Sequence, residues 1–223
     1  MNLFRIFLRT LFRLVPGFSC TDTIYSLMKK NPNVVLDVGC GKGYVVSELS
    51  RRGNKLRKSY LIGVDIFAPY LREAKHIYHD VICGDVRFLP IRSHSADVVL
   101  ALDIIEHLES MDGFRLIKDL EQIAVNQIFI YTPVGFNPKS YLEDNNPWQA
   151  HRSVWHPNDF RSKGYKVLGI GGVRFLYGER HEFKLKHKIF FIPLLGIALF
   201  TQFFVFKFAH IAYQMLCIKE KHV

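Results

Sequence analysis

Between residues 20 and 135 the chain alternates between two hydrophobic periods. NVVLDVG, SYLIGVDIF, DVICGDV, ADVVLALDI and NQIFIYTPVG are short runs that are almost wholly apolar. TDTIYSLMKK, YVVSELSRR, APYLREAKHIYH and MDGFRLIKDLEQIAV, set between or beside them, read as helices. A strand apolar on both sides must be covered on both sides. This alternation therefore predicts an α/β fold, with a mostly parallel sheet and helices on both faces. The first helix is expected to be capped by Thr21 or Asp22. At 223 residues the chain suits one well-cored domain with appendages.

The chemistry begins where the first strand ends, in VVLDVGCGKGYV. Gly39, Gly41 and Gly43 fall in a tight strand-to-helix turn, where missing Cβ atoms let a ligand approach the backbone. Asp37 precedes the first glycine by two residues. A carboxylate there repels a pyrophosphate but suits an ammonium group. Asp65 ends the second strand, at a distance along the chain from which an acid reaches ribose hydroxyls. Asp85 follows the third strand, where it can accept from an exocyclic amine. Asp103, Glu106 and His107 follow the fourth. Consecutive strand tips line the crevice in which open α/β sheets bind ligands.

In this order, LDVGCGKG, GVDIF, GDVRFLP, ADVVLALDIIEHL and IFIYTPVG resemble the class I S-adenosylmethionine-dependent methyltransferases, over roughly residues 20–175. The likeness is to the branch acting on small molecules, quinones and lipids. It implies a Rossmann-like, seven-stranded sheet with an antiparallel last strand, the last two strands being YKVLGIGG and IAYQMLCIK. It implies S-adenosyl-L-methionine as cofactor, with Gly39, Cys40, Gly41 and Gly43 beside its methionine part and Asp37 near its amino end. Asp65 would hold the ribose hydroxyls, with Ile66 against the adenine. Asp85 and the backbone of Val86 would meet the adenine amine, and Leu102 would lie close to the sulfonium.

Displacement at a sulfonium needs alignment first, and a base only where the acceptor holds a proton of high pKa. Glu106, His107 and His151 are the candidates for that base. Trp155 is expected to roof the site, and Asn158 or Asp159 to cap the following helix. On a helix, Asp103, Glu106 and His107 would share one face, a spacing that can hold a divalent ion; no metal is assigned.

The net charge of +10 is unevenly spread. Residues 1–18 carry +3, residues 19–160 carry −1 and residues 161–223 carry +8. A neutral middle argues against a nucleic-acid groove beside the site. LDII also stands where amino-methylating relatives carry an NPPY-type tetrapeptide. The basic ends are the most apolar parts as well. MNLFRIFLRTLFRLV sets Arg5, Arg9 and Arg13 among Leu and Phe, predicting an interfacial helix over residues 1–18. Residues 189–206 form an uncharged insertion before the last strand of a domain covering 19–223. If that strand rejoins the sheet, a spanning helix would strand it, so a helix lying on the membrane fits better. Four scattered cysteines point to a reduced compartment.

The reading is methyl transfer to a small, lipophilic acceptor, on the cytoplasmic side of a membrane to which the protein binds peripherally. The alternatives are a non-catalytic nucleoside-binding scaffold and a nucleic-acid methyltransferase.

Overall fold

A computed structural model describes residues 15, 17–135, 145–178, 185 and 191–221. The N-terminal helix expected over residues 1–18 lies almost wholly outside these, as do residues 136–144 and most of the basic stretch before residue 191.

The strands are β1 (Val34–Val38), β2 (Tyr60–Asp65), β3 (Asp80–Cys83), β4 (Ala96–Leu102), β5 (Ala124–Pro133), β6 (Lys166–Val173) and β7 (Ala212–Glu220). They form one sheet in the order β3-β2-β1-β4-β5-β7-β6. β1 to β5 pair in parallel, and β7 runs antiparallel to both β5 and β6. The order reverses between β1 and β4, and there the strand tips open a crevice.

The helices are α1 (Cys20–Leu27), α2 (Tyr44–Arg52), α3 (Ala68–Ala74), α4 (Ser110–Ile123), α5 (Pro157–Arg161) and α6 (Phe191–Val205). Because side chains alternate along a strand, the buried residues separate into two cores. Val98, Leu100 and Phe129 pack with Ile24, Leu49 and Leu71 of α1 to α3 on one face. Val99, Ala101 and Ile130 pack with Leu116, Phe160 and Ala198 of α4 to α6 on the other.

Two caps differ from expectation. α1 is capped by Ser19, whose Oγ accepts from the Asp22 N–H, so the helix starts earlier than Thr21 or Asp22 would place it. α5 is capped by His156, with Asp159 reaching back to accept from the His156 N–H at 2.7 Å. Asp159 thus acts from inside the first turn. α1 is further held at its far end. Lys55 Nζ donates to the carbonyls of Tyr25, Ser26 and Met28, and buried Gln127 bridges Leu27 O and the Lys29 N–H.

Candidate functional site

The turn after β1 is pinned to β2, since the Gly39 and Cys40 N–H groups both donate to Val64 O, at 2.8 and 3.0 Å. Gly39 has φ +76, and a Cβ there would meet Ile104 at 2.7 Å, so only glycine fits. Gly41, at φ +54, would place a Cβ in nearly open space, with Tyr70 nearest at 3.9 Å. The open side of Gly41 faces the ligand space. Gly43 serves another purpose. It caps α2 at φ +80, and its missing side chain admits Tyr78 and Ile77.

Asp65 organises this turn. One carboxylate oxygen accepts from the Gly41 N–H and the other from the Phe67 N–H, both at 2.8 Å. Burial raises its pKa, and these backbone donors, with that of Ile66, pull it back. Each oxygen retains a second lone pair, so a diol can still be accepted. Asp37 is buried, and its carboxylate accepts from Tyr78 Oη at 2.5 Å. Burial pushes Asp37 up to about 7; the Tyr78 bond opposes this and the charge of Asp65 adds to it.

Asp85 is engaged differently. It caps the turn Val86–Phe88 through the Arg87 N–H, and the Arg87 guanidinium grips both its oxygens. The Arg87 hydrogen bond holds its carboxyl below the usual range. An adenine amine would have to share Asp85 with Arg87.

These residues line two adjoining clefts that share Gly39, Gly41, Asp103 and Gln149. The first is open to solvent, with a cavity volume of about 140 Å3. Asp65, Ile66, Asp85 and Val86 line one end of it, and His107, Leu108, Trp148 and Arg152 the other. The second cleft is lined by Asp37, Cys40, Lys42, Tyr44, Tyr70 and Leu102. Gly43 lines neither. Cys40 is buried beneath Gly63, and burial pushes its thiol far up, so it is inert packing here.

Beyond β4 the chain does not continue as an α-helix. Asp103 takes a left-handed φ of +51, and residues Ile105–His107 form one tight turn. Helical spacing therefore does not apply, and a different trio converges. The ligand atoms of Glu106, His107 and His151 all lie within 4.8 Å of one another. Asp103 instead accepts from Gln214 Nε2, and Gln214 accepts from Tyr131 Oη. Thr132 Oγ1 donates to Glu106 at 3.0 Å. His107 Nδ1 is 3.1 Å from Ala150 O; a carbonyl only accepts, so Nδ1 carries a proton, and in the neutral ring the lone pair is then on Nε2. His151 packs edge-on against His107, with ring centres 4.9 Å apart.

Trp155 does not roof the site. It is buried against α4 over Gly113, and its Nε1 donates to Ile105 O and Ser153 Oγ. Trp148, half-exposed at the cleft, takes the place expected for it. Asn146, Trp148, Gln149 and Arg152 come from an irregular connection with no hydrophobic period to read. Tyr78 was equally invisible, since nothing local marks a partner 41 residues from Asp37.

A sequence profile described as "Methyltransferase domain" matches residues 36–124, the segment that supplies Asp37, the glycine turn, Asp65, Asp85 and Glu106. Over this segment the chain is similar to the class I S-adenosylmethionine-dependent methyltransferases. Its curated relatives include a malonyl-[acyl-carrier protein] O-methyltransferase of Legionella pneumophila, 26% identical over 60% of this chain and 46% of that protein. A ubiquinone biosynthesis O-methyltransferase of Bradyrhizobium diazoefficiens is 30% identical over 48% of this chain and 42% of its own. The chain matches less than half the length of either. Among solved structures, the magnesium protoporphyrin IX methyltransferase of Synechocystis shares the fold with a TM-score of 0.54, at 15% identity over 100% of this chain and 85% of that one.

The clefts suit S-adenosylmethionine, the cofactor that the likeness implies. Two buried carboxylates, Asp37 and Asp65, flank the glycine turn, and the space beside Gly41 is open.

Proposed function

We propose that the chain transfers the methyl group of S-adenosylmethionine to a small, lipophilic acceptor at a membrane surface. The cofactor brings the methyl group already activated on a sulfonium. In this reading Asp65 holds the ribose hydroxyls, Ile66 and Val86 flank the adenine, and Asp37 anchors the amino group. Gly39, Gly41 and the backbone at Leu102 border the methionine part. The observation that carries the reading is the gathering of Asp37, Asp65, Asp85 and Asp103 with the glycine turn around two joined clefts.

The acceptor then enters between Trp148, Ile104 and Leu108, whose apolar surfaces favour a planar or greasy molecule. His107 Nε2 takes the proton of an acceptor hydroxyl, while Glu106 and His151 steady the charge that this leaves on the imidazole. A second reading rests on the same three side chains. One carboxylate and two imidazoles this close form a ligand set for a divalent ion, which would polarise an acceptor oxygen.

Methyl-labelled cofactor incubated with a whole-cell lipid extract, with RNA and with total protein tests the assignment. Label in the organic phase alone is expected. Label in RNA or protein alone would overturn the lipophilic acceptor, and label in none of the three would favour a binding scaffold.

A further inference from the structure

We propose that the outer face of α6 docks flat on an anionic lipid bilayer. This deepens the membrane-surface part of the reading above and does not depend on which acceptor is methylated.

α6 is apolar all round, which is unusual for a helix at the edge of a sheet. Its inner side is closely fitted. A Cβ on Gly169 of β6 would collide with Val205 O, and one on Gly172 would meet Ala198 O at 2.9 Å, so backbone lies against backbone. Buried Gln202 fastens the two elements: its Oε1 accepts from the Gly172 N–H at 2.8 Å and its Nε2 donates to Gly169 O at 2.9 Å. The helix is thus fixed in orientation.

Its other side points a continuous apolar surface at solvent. Ile192 is 70% exposed, Phe200 67%, Phe203 59% and Phe204 53%, with Ile197 alongside and Phe208 continuing the patch. Scattered exposed apolar residues are ordinary, but a contiguous aromatic band marks an interaction surface. The band offers no hydrogen-bonding side chain, because Thr201 spends its hydroxyl on Ile197 O and Ala198 O.

Charge selects the partner. No acid occurs between Glu182 and Glu220, whereas Lys184, Lys186, Lys188 and Lys207 flank the helix in sequence. Gly17 packs against Phe206, just past the end of α6, and the sequence before it holds Arg5, Arg9 and Arg13 with no acid. A second copy would set this cationic border against its own like charge. Anionic headgroups around an acyl interior match both the border and the band.

The helix lies on the bilayer and does not cross it. Fifteen residues span ~22 Å, against ~30 Å of hydrocarbon. The contacts of Ala198 with Gly172 and Val205 with Gly169 hold α6 along β6, and β7 returns to the same sheet. They also make α6 antiparallel to β6, so its Phe191 end points to the strand-tip edge at which the clefts open.

The test is flotation of the full chain with phosphatidylcholine vesicles, with or without phosphatidylglycerol, alongside a Phe200→Ser/Phe203→Ser/Phe204→Ser variant. Binding to anionic vesicles that salt weakens, and that the variant loses by about tenfold or more, is expected. Unchanged affinity for S-adenosylhomocysteine checks that the variant is folded. A Phe203→Trp reporter should emit further to the blue when anionic vesicles are added. Emission already blue in buffer and indifferent to vesicles would mean that residues 1–14 cover the face. Emission that shifts with protein concentration alone would mean a second copy covers it. Either result overturns the proposal, as does equal flotation by the triple variant. Methylation of a lipophilic acceptor in detergent, with no flotation, would sink the docking while leaving the methyl transfer intact.

Discussion

The two ends of the main cleft are built by different means. The end assigned to the cofactor is made from strand tips, and its carboxylates are locked by short-range partners, as Asp65 is by the Gly41 and Phe67 N–H groups. The end assigned to the acceptor is made from one tight turn after β4 and an irregular connection before α5, pinned where the Arg152 and Ser153 N–H groups donate to Glu106 O. The first is set by the sheet; the second hangs on a few backbone hydrogen bonds. Changes at the first should therefore alter binding, and changes at the second should alter rate.

The largest expected effect is at the acceptor end. His107→Ala should lower kcat by roughly 10²–10⁴-fold while S-adenosylhomocysteine binds as before. Isothermal titration beside a turnover assay separates the two. A parallel loss of cofactor affinity would erase the distinction between the ends. Dialysis against a chelator sharpens the same point. Activity that falls and returns with a divalent ion favours the Glu106, His107 and His151 ligand set, whereas activity that is unmoved favours His107 as base.

Next in size is Asp65→Ala. Removing a charged acceptor should weaken the cofactor by about 1.5–3 kcal/mol. Because the Gly41 and Phe67 N–H groups also lose their partner, the turn itself should loosen. Hydrogen exchange at Gly41 in the free protein reports that part separately.

The contrast between the two ends also explains what the sequence could reveal. Strands β1 to β5 and their tip residues were legible because apolar runs and glycines act locally. β6 and β7 came instead from the family resemblance, which implied strands at YKVLGIGG and IAYQMLCIK, close to their observed bounds. Trp155 was misplaced because an indole reads the same whether it faces a ligand or, as here, the gap over Gly113. Helical spacing misled for Asp103, since its left-handed backbone breaks the helix before Glu106. His151 joins Glu106 and His107 through tertiary folding alone. Arg87 could have been read, as a cation two residues past Asp85 is near enough to claim it.

Smaller, and graded with pH, is the effect at Asp37. Its carboxyl ordinarily titrates near 3.8 but is held up to about 7 in the folded chain. Between those values the native state keeps a proton that the unfolded state has lost. Stability should therefore decline as pH rises through this window and level off above about 7. An ammonium bound beside Asp37 favours the carboxylate, so cofactor binding should release a proton and tighten with rising pH, by up to about tenfold per unit. Calorimetry in buffers of different ionisation enthalpy measures the proton directly. Asp37→Asn should flatten both dependences, and a proton count of zero in the wild type would place the amino group elsewhere.

The smallest effect tests the cofactor end at its weakest point. Arg87 holds both oxygens of Asp85, yet the pair is partly exposed, and such pairs contribute only about 0.2–1 kcal/mol. If Asp85 also accepts the adenine amine, the two donors compete for its lone pairs. Arg87→Ala should then leave stability nearly unchanged and tighten S-adenosylhomocysteine by about twofold or less, since Asp85 gains a free edge but the turn Val86–Phe88 keeps its backbone cap. Asp85→Asn should weaken binding, because an amide offers one acceptor oxygen where the carboxylate offers two. Tighter binding in one variant and weaker in the other would place the adenine amine on Asp85. Weaker binding in both would mean that Arg87 itself faces the cofactor, and the strand-tip end would then depend on a long, partly exposed side chain as well as on the sheet.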